Sequence, residues 1–200
     1  EWFASQASRF DPYPRCGAGV YFGEYSANGY FAGQPQTEQG ANTWKSALGE
    51  AAFLTGCERN SDVVRMTSYA PLLAHIPAKG WAQNLIEFNP AHVNPTVNYE
   101  VERLFSTHLG DTTYAVSIKQ TASRPTKHLY VSATGHDGDD ACRYIKIVNT
   151  SDSPVDVTLE IARGLAGLGT SPSRPVRLEV TTLSASPTAK TTIGYRCLLY

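Results

Sequence analysis

Apolar and polar positions in the first half of the chain switch between two periods. Val20-Tyr21-Phe22 is a short run of strand-favouring residues that ends at Gly23-Glu24-Tyr25. A polar, glycine-containing loop follows over residues 26–40. Trp44, Ala47, Leu48, Ala51, Ala52 and Leu54 then recur near helical spacing, with Asn42 or Thr43 placed to cap them, so a helix is expected there. Residues 62–69 read as a second strand, stopped by Pro71. Pro95-Thr96 opens a further helix over residues 97–108, with Val97, Val101, Leu104 and Phe105 on one face and Gly110 beyond its end. Strand, helix, strand, helix is the grammar of an α/β barrel or an open α/β sheet.

Beyond Gly110-Asp111 the pattern changes. Residues 114–119, 129–133, 144–148, 155–161 and 176–183 are short and β-rich, with Pro, Gly, Ser and Asp between them. Val155, Val157, Leu159 and Ile161 alternate with polar residues, which predicts one buried and one wet face. Regularly spaced strands with turn signals predict an antiparallel β-sandwich. The fold class is thus α/β plus all-β, divided into residues 1–110 and 111–200.

Charge and composition narrow the chemistry. The 200 residues carry 17 Lys and Arg against 18 Asp and Glu, a balance that offers no basic footprint for a nucleic acid. No run of about 18 apolar residues exists to span a bilayer. The chain opens on Glu1-Trp2-Phe3, inside an aromatic and polar stretch that reads as the middle of something longer. Asn149-Thr150-Ser151 fits the glycosylation acceptor pattern and lends weak support to a secreted source. Cys16, Cys57, Cys142 and Cys197 show no CxxC spacing, so either two disulfides or four thiols fit.

Few residues are placed to do chemistry. Glu24 ends an apolar strand and begins a loop, which in a parallel barrel is the catalytic face. A carboxylate there serves as nucleophile or as acid/base if a second carboxylate lies across the site; the alternative is a solvated strand-end residue. Glu50 and Glu58 read as ordinary helix residues, and Glu100 and Glu102 as the solvated face of the second helix. Asp137, Asp139 and Asp140 read as a polar hairpin turn rather than a Ca²⁺ loop, since the spacing is not an EF-hand. The five His lack HExxH spacing, and GxSxG, P-loop and GxGxxG motifs are absent. Trp81, with Gln83 and Asn84, follows the second strand, where an aromatic face can stack on a sugar and amides can bind hydroxyls; packing is the competing role.

Three stretches carry a resemblance. They are Glu1-Trp2-Phe3 through Arg9-Phe10-Asp11 with Val20-Tyr21-Phe22-Gly23-Glu24-Tyr25-Ser26; Ala47-Leu48-Gly49-Glu50-Ala51-Ala52-Phe53-Leu54-Thr55-Gly56-Cys57-Glu58-Arg59-Asn60-Ser61-Asp62-Val63-Val64; and Ser68-Tyr69-Ala70-Pro71-Leu72-Leu73 followed by Trp81, Asn84-Leu85-Ile86 and Phe88. In sequence, order and spacing they resemble the α-L-arabinofuranosidases of glycoside hydrolase family 51. The likeness spans residues 1–110, and residues 111–200 resemble the family's C-terminal β-sandwich more loosely.

The resemblance implies that residues 20–22 and 63–68 are the seventh and eighth strands of a (β/α)8 TIM barrel. Glu24 then matches the nucleophile in the family's Gly-Glu-Tyr motif, and Tyr69, Trp81 and Asn84 face the sugar. Ser26 stands where the family commonly has Ala, a small change that leaves Glu24's assignment intact. The implied reaction is retaining hydrolysis of terminal α-L-arabinofuranosyl residues in arabinan- or arabinoxylan-type polysaccharides or oligosaccharides, with no cofactor and no metal. The acid/base Glu belongs to the family's fourth strand, which precedes Glu1, so the remainder of the barrel is a required partner and the isolated chain is expected not to turn over. A non-catalytic carbohydrate-binding or structural β-sandwich fragment is the alternative. Secretion is expected. In the implied barrel Cys16 and Cys57 both lie at the bottom, which suggests a Cys16–Cys57 disulfide and leaves Cys142 with Cys197.

Overall fold

The computed structural model describes residues 2–28, 40–78, 80–119, 127–136, 142–161 and 177–191. A short helix α1 (Trp2–Ser5) and a 3-10 turn (Gln6–Ser8) lead to strand β1 (Val20–Tyr25). Helix α2 (Trp44–Arg59) follows, then strand β2 (Val64–Tyr69), which pairs with β1 in parallel. This is the predicted strand–helix–strand unit. Thr43 caps α2 by accepting a hydrogen bond from the Ser46 N–H at 3.2 Å, and the helix runs five residues past the expected Leu54.

Burial explains the extension. α2 is covered on nearly every side, with Ala47, Ala52 and Phe53 at most 1% exposed. α1 and the 3-10 turn lie against it so closely that a Cβ on Gly56 would sit 1.9 Å from the Ala7 carbonyl oxygen. Phe53 is the centre of an aromatic cluster with Phe3, Phe10, Phe22 and Tyr25 at ring separations of 5.0–6.2 Å. At the other end of the helix, the Trp44 and Lys45 N–H groups donate to the carbonyls of Ala189 and Pro187, which satisfies two donors that a helix start leaves open.

A small sheet that the sequence did not announce follows β2. Strands β3 (Leu73–His75), β4 (Ile86–Phe88) and β5 (Val93–Pro95) pair in the order β3-β4-β5, the first pair parallel and the second antiparallel. Helix α3 (Val97–Thr107) has the expected inward face, with Val97 and Val101 buried and Leu104 and Phe105 partly so.

Among the described residues of the second half, β6 (Thr112–Thr113), β7 (Leu129–His136) and β8 (Cys142–Asn149) form an antiparallel sheet. β7 and β8 are the strands expected there, each longer than predicted. Residues 114–119, 155–161 and 177–183 are not strands, although their alternation predicted them. Val155, Val157, Leu159 and Ile161 remain 42–51% exposed, because alternation yields a strand only where a neighbour takes up the backbone hydrogen bonds and covers one face. Residue 176 and Asp137, Asp139 and Asp140 lie outside the described residues.

The cysteine expectation is corrected. Cys16 is exposed and Cys57 buried, and both are free thiols. Cys57 faces inward on α2 in the cluster of Phe10, Phe53 and Val64, whereas Cys16 lies in the exposed turn before β1. Cys197 lies outside the described residues, and with it the second pairing.

Candidate active site

Glu24 is exposed at the C-terminal end of β1 and has φ +59°. Few side chains tolerate that region, and for a Glu it costs on the order of 1–2 kcal/mol. The pairing with β2 explains why it persists. Gly23 stands opposite Ser68 and Tyr25 opposite Tyr69, so Glu24 is an extra residue in the ladder. Such shifts re-aim a side chain and are common beside active sites.

Tyr25 and Tyr69 end the two parallel strands side by side, with ring centroids 5.6 Å apart. The Tyr25 hydroxyl donates to the Glu102 carboxylate on α3, 2.8 and 2.9 Å from its two oxygens. The Tyr69 hydroxyl accepts from Gln83 Nε2 at 2.7 Å. Gln83 Oε1 in turn accepts from the Asn42 N–H at 2.8 Å, and Asn42 Oδ1 from the Asn84 N–H at 3.1 Å. Three of the singled-out polar residues, Tyr69, Gln83 and Asn84, thus belong to one cluster. Asn84 is fully buried, and its Oδ1 has no hydrogen-bond partner. Trp81 stands 54% exposed in the same loop.

Beneath this surface lies Glu50, which is 0% exposed. Its Oε1 accepts from the Ala27 N–H at 2.7 Å and its Oε2 from Asn98 Nδ2 at 2.7 Å. Burial and the neighbouring Glu102 push its carboxyl up to about 8. Burial pushes Glu102 up to about 7, although the Tyr25 hydroxyl pulls the other way. Burial, with these carboxyls beside them, raises both tyrosine hydroxyls as well.

Three carboxylates therefore need correction. Glu50 is not on a wet face, because α2 has almost none. Glu58 is buried and pairs with Lys146 of β8, while its Oε2 accepts from Ser132 Oγ at 2.6 Å. Glu102 is held by Tyr25 rather than by solvent. Only Glu100 behaves as a surface residue, paired with Arg103 at 2.9 Å. Sequence reasoning missed Glu50, Glu102, Tyr25 and Asn98 as partners. One signal was available: α2 is so rich in Ala, Gly, Leu and Phe that it has little polar stripe, and a Glu on such a helix has no water to face.

Among the described residues no group of three His, Cys, Asp or Glu is placed to hold a metal ion, and no helix is long and apolar enough to cross a membrane. A retaining hydrolase needs a second carboxyl about 5–5.5 Å from the nucleophile. Glu50 and Glu102 are both committed to other hydrogen bonds, Glu50 with Ala27 and Asn98 and Glu102 with Tyr25.

Residues 21–194 match the family described as the α-L-arabinofuranosidase C-terminal domain. The chain is 43% identical over 110 residues to an extracellular exo-α-L-arabinofuranosidase of Streptomyces chartreusis, covering 55% of this chain and 12% of that enzyme. It is 32% identical over 159 residues to α-L-arabinofuranosidase 2 of Arabidopsis thaliana, covering 79% of this chain and 22% of the other. A solved arabinose-bound α-L-arabinofuranosidase of glycoside hydrolase family 51 superposes with a TM-score of 0.67 at 33% identity, over 76% of this chain and 24% of that one. The chain thus spans less than a quarter of the length of each.

Proposed function

The chain belongs to the α-L-arabinofuranosidase C-terminal domain family, within glycoside hydrolase family 51, and on that premise we propose that it is the C-terminal portion of a retaining α-L-arabinofuranosidase with Glu24 as nucleophile. The observation that carries this reading is the position of Glu24. It is an extra, left-handed residue at the C-terminal end of a strand paired in parallel with its neighbour. Catalytic groups of (β/α)8 barrels come from that end of the strands.

On this reading β1 and β2 are the seventh and eighth barrel strands, residues 1–110 complete the catalytic barrel, and residues 111–200 form the β-sandwich behind it. Tyr21 and Met66, 60% and 59% exposed, support a covering partner for the sheet face that α2 leaves open, namely the remainder of the barrel. That remainder supplies the acid/base Glu. The Glu24 carboxylate attacks the anomeric carbon while the acid/base Glu gives its proton to the departing glycosidic oxygen. An arabinosyl ester on Glu24 results. The acid/base carboxylate then takes a proton from water, the water oxygen attacks the same carbon, and the Glu24 carboxylate is released. On this reading the exposed ring of Trp81 stacks on the sugar, while Tyr69 and the buried Asn84 shape the surface it meets. The substrates are terminal arabinofuranosyl groups of arabinan- or arabinoxylan-type glycans, met outside the cell.

The test is incubation of the full-length protein with an activated, arabinofuranose-configured covalent inhibitor, followed by peptide mapping. The expected result is one adduct, on Glu24. Absence of an adduct on folded full-length protein overturns the reading and favours a non-catalytic role.

A further inference from the structure

Among the described residues the carboxyl most thoroughly removed from water is not the proposed nucleophile but Glu50. No salt bridge reaches Glu50 among the described residues. The titratable groups among them that act on it are Tyr25 of β1, Tyr69 of β2 and Glu102 of α3, all neutral or acidic. Burying a carboxyl without a cation costs several kcal/mol, whereas the Ala, Leu and Phe that fill the rest of α2 cost nothing of the kind. Departures from local rules of this sort gather at functional sites.

The bonds of Glu50 show what it does. Ala27 N–H is the first buried donor after Glu24-Tyr25-Ser26, and Glu50 Oε1 takes it at 2.7 Å. Asn98 Nδ2 holds the other oxygen at 2.7 Å and is itself fixed through Ser46 Oγ at 3.1 Å, one turn earlier on α2. The carboxyl is therefore clamped from α2 and α3 before it grips the turn after Glu24. Glu24 itself has an unfavourable φ and no neighbour in the ladder, so its backbone keeps one conformation only because the residues on either side are held. Tyr25 is held from below by Glu102, and Ala27 by Glu50.

We propose that Glu50 is a positioning residue for Glu24: by anchoring the Ala27 N–H against Asn98, it fixes the strained turn that aims the nucleophile. This rests on the reading of Glu24 as nucleophile. The clamp works at the level of geometry, and a misplacement of about 1 Å at a reacting group costs on the order of 10²-fold in rate.

The experiment uses the full-length enzyme with Glu50→Ala, Glu50→Gln and Glu24→Gln. Glu50→Ala is expected to lower kcat about 10²-fold with KM within about threefold, and to slow covalent labelling of Glu24 in the same ratio. Glu50→Gln keeps an oxygen for the Ala27 N–H and is expected to restore both to within about threefold of the parent. A folded Glu50→Ala with unchanged kcat and labelling rate overturns the proposal, even if its melting temperature falls, since a purely structural role predicts that pattern. If Glu50→Ala does not fold, Asn98→Ala decides: a loss of about tenfold in kcat at constant KM supports the clamp, and unchanged kcat overturns it. Glu24→Gln separates the two layers. Hydrolysis that survives it removes the nucleophile assignment and this proposal together, whereas failure of the Glu50 variants alone leaves that assignment standing.

Discussion

Phe22 and Tyr25 lie three positions apart on β1, yet both pack on Phe53, and their ring centroids are 5.9 Å from each other. In a regular strand, residues three apart point to opposite faces. The extra residue between Gly23 and Tyr25 restores the face, so the core contact of Tyr25 and the exposure of Glu24 are one event. Glu24→Gly is then expected to raise stability by about 1 kcal/mol, because glycine adopts φ +59° freely, and Glu24→Gln to leave it unchanged. Both are expected to lose at least about a thousandfold in kcat while sugar affinity persists in the Gln variant. Thermal melts and steady-state hydrolysis by the full-length protein check this; a Gln variant that still hydrolyses counts against Glu24 as nucleophile.

Glu58 and Lys146 join α2 to β8 with side chains only 8% and 12% exposed. Lys146 also donates to the His108 carbonyl at 2.7 Å and lies 5.0 Å from the Phe105 ring centroid. Removing one partner strands the other charge. Glu58→Ala is expected to destabilise by about 3–5 kcal/mol, while Glu58→Leu with Lys146→Met together cost far less. Denaturant midpoints of the single and double variants give the coupling, and equal, additive losses would contradict a buried pair.

Stability is expected to fall as pH rises. Glu50 has an ordinary value of 4.5 and a folded value of about 8. Between those two values the folded chain keeps a proton that the unfolded chain has released. The stabilisation is full below pH 4.5 and is lost as pH climbs through about 8. Glu102 adds the same sign up to about 7. The Glu50 share of the loss from about pH 5 to about pH 8 is on the order of 3 kcal/mol and is absent in Glu50→Gln. Urea midpoints measured across that range in both proteins decide it; a flat parent profile would refute it.

The free thiols predict unequal reactivity. Burial pushes the Cys57 thiol up to about 12, while Cys16 is exposed. Cys16 is expected to alkylate in the native protein, and Cys57 only after denaturation, slower by about a thousandfold or more. Mass mapping without reductant reads this directly. A Cys16 that reacts only after reduction would restore the disulfide expected from the barrel topology.

Much of the framework was legible along the chain. The apolar run at Val20, the helical recurrence from Trp44 and the Val97–Val101 face each carry their own period, and each became the element its period predicts. The place of Glu24 at the end of a strand was legible as well. The short β3-β4-β5 sheet was not, because three-residue strands are too brief to show a period. Residues 155–161 show a clear period and no strand, because alternation states what a segment would do if a partner were present. The fates of Glu50, Glu58 and Glu102 lay further out of reach. A helix pattern ranks its faces by polarity, but whether any face meets water depends on how many neighbours press on it. Local period and motif are written in consecutive residues, so the sequence by itself determined the longer strands and helices of the first half, the family likeness and the candidate nucleophile. The tertiary structure alone decided which carboxyls are dry, which partner each has and why Glu24 is turned outward. Those depend on contacts between residues 23 to 88 positions apart, which no local pattern encodes.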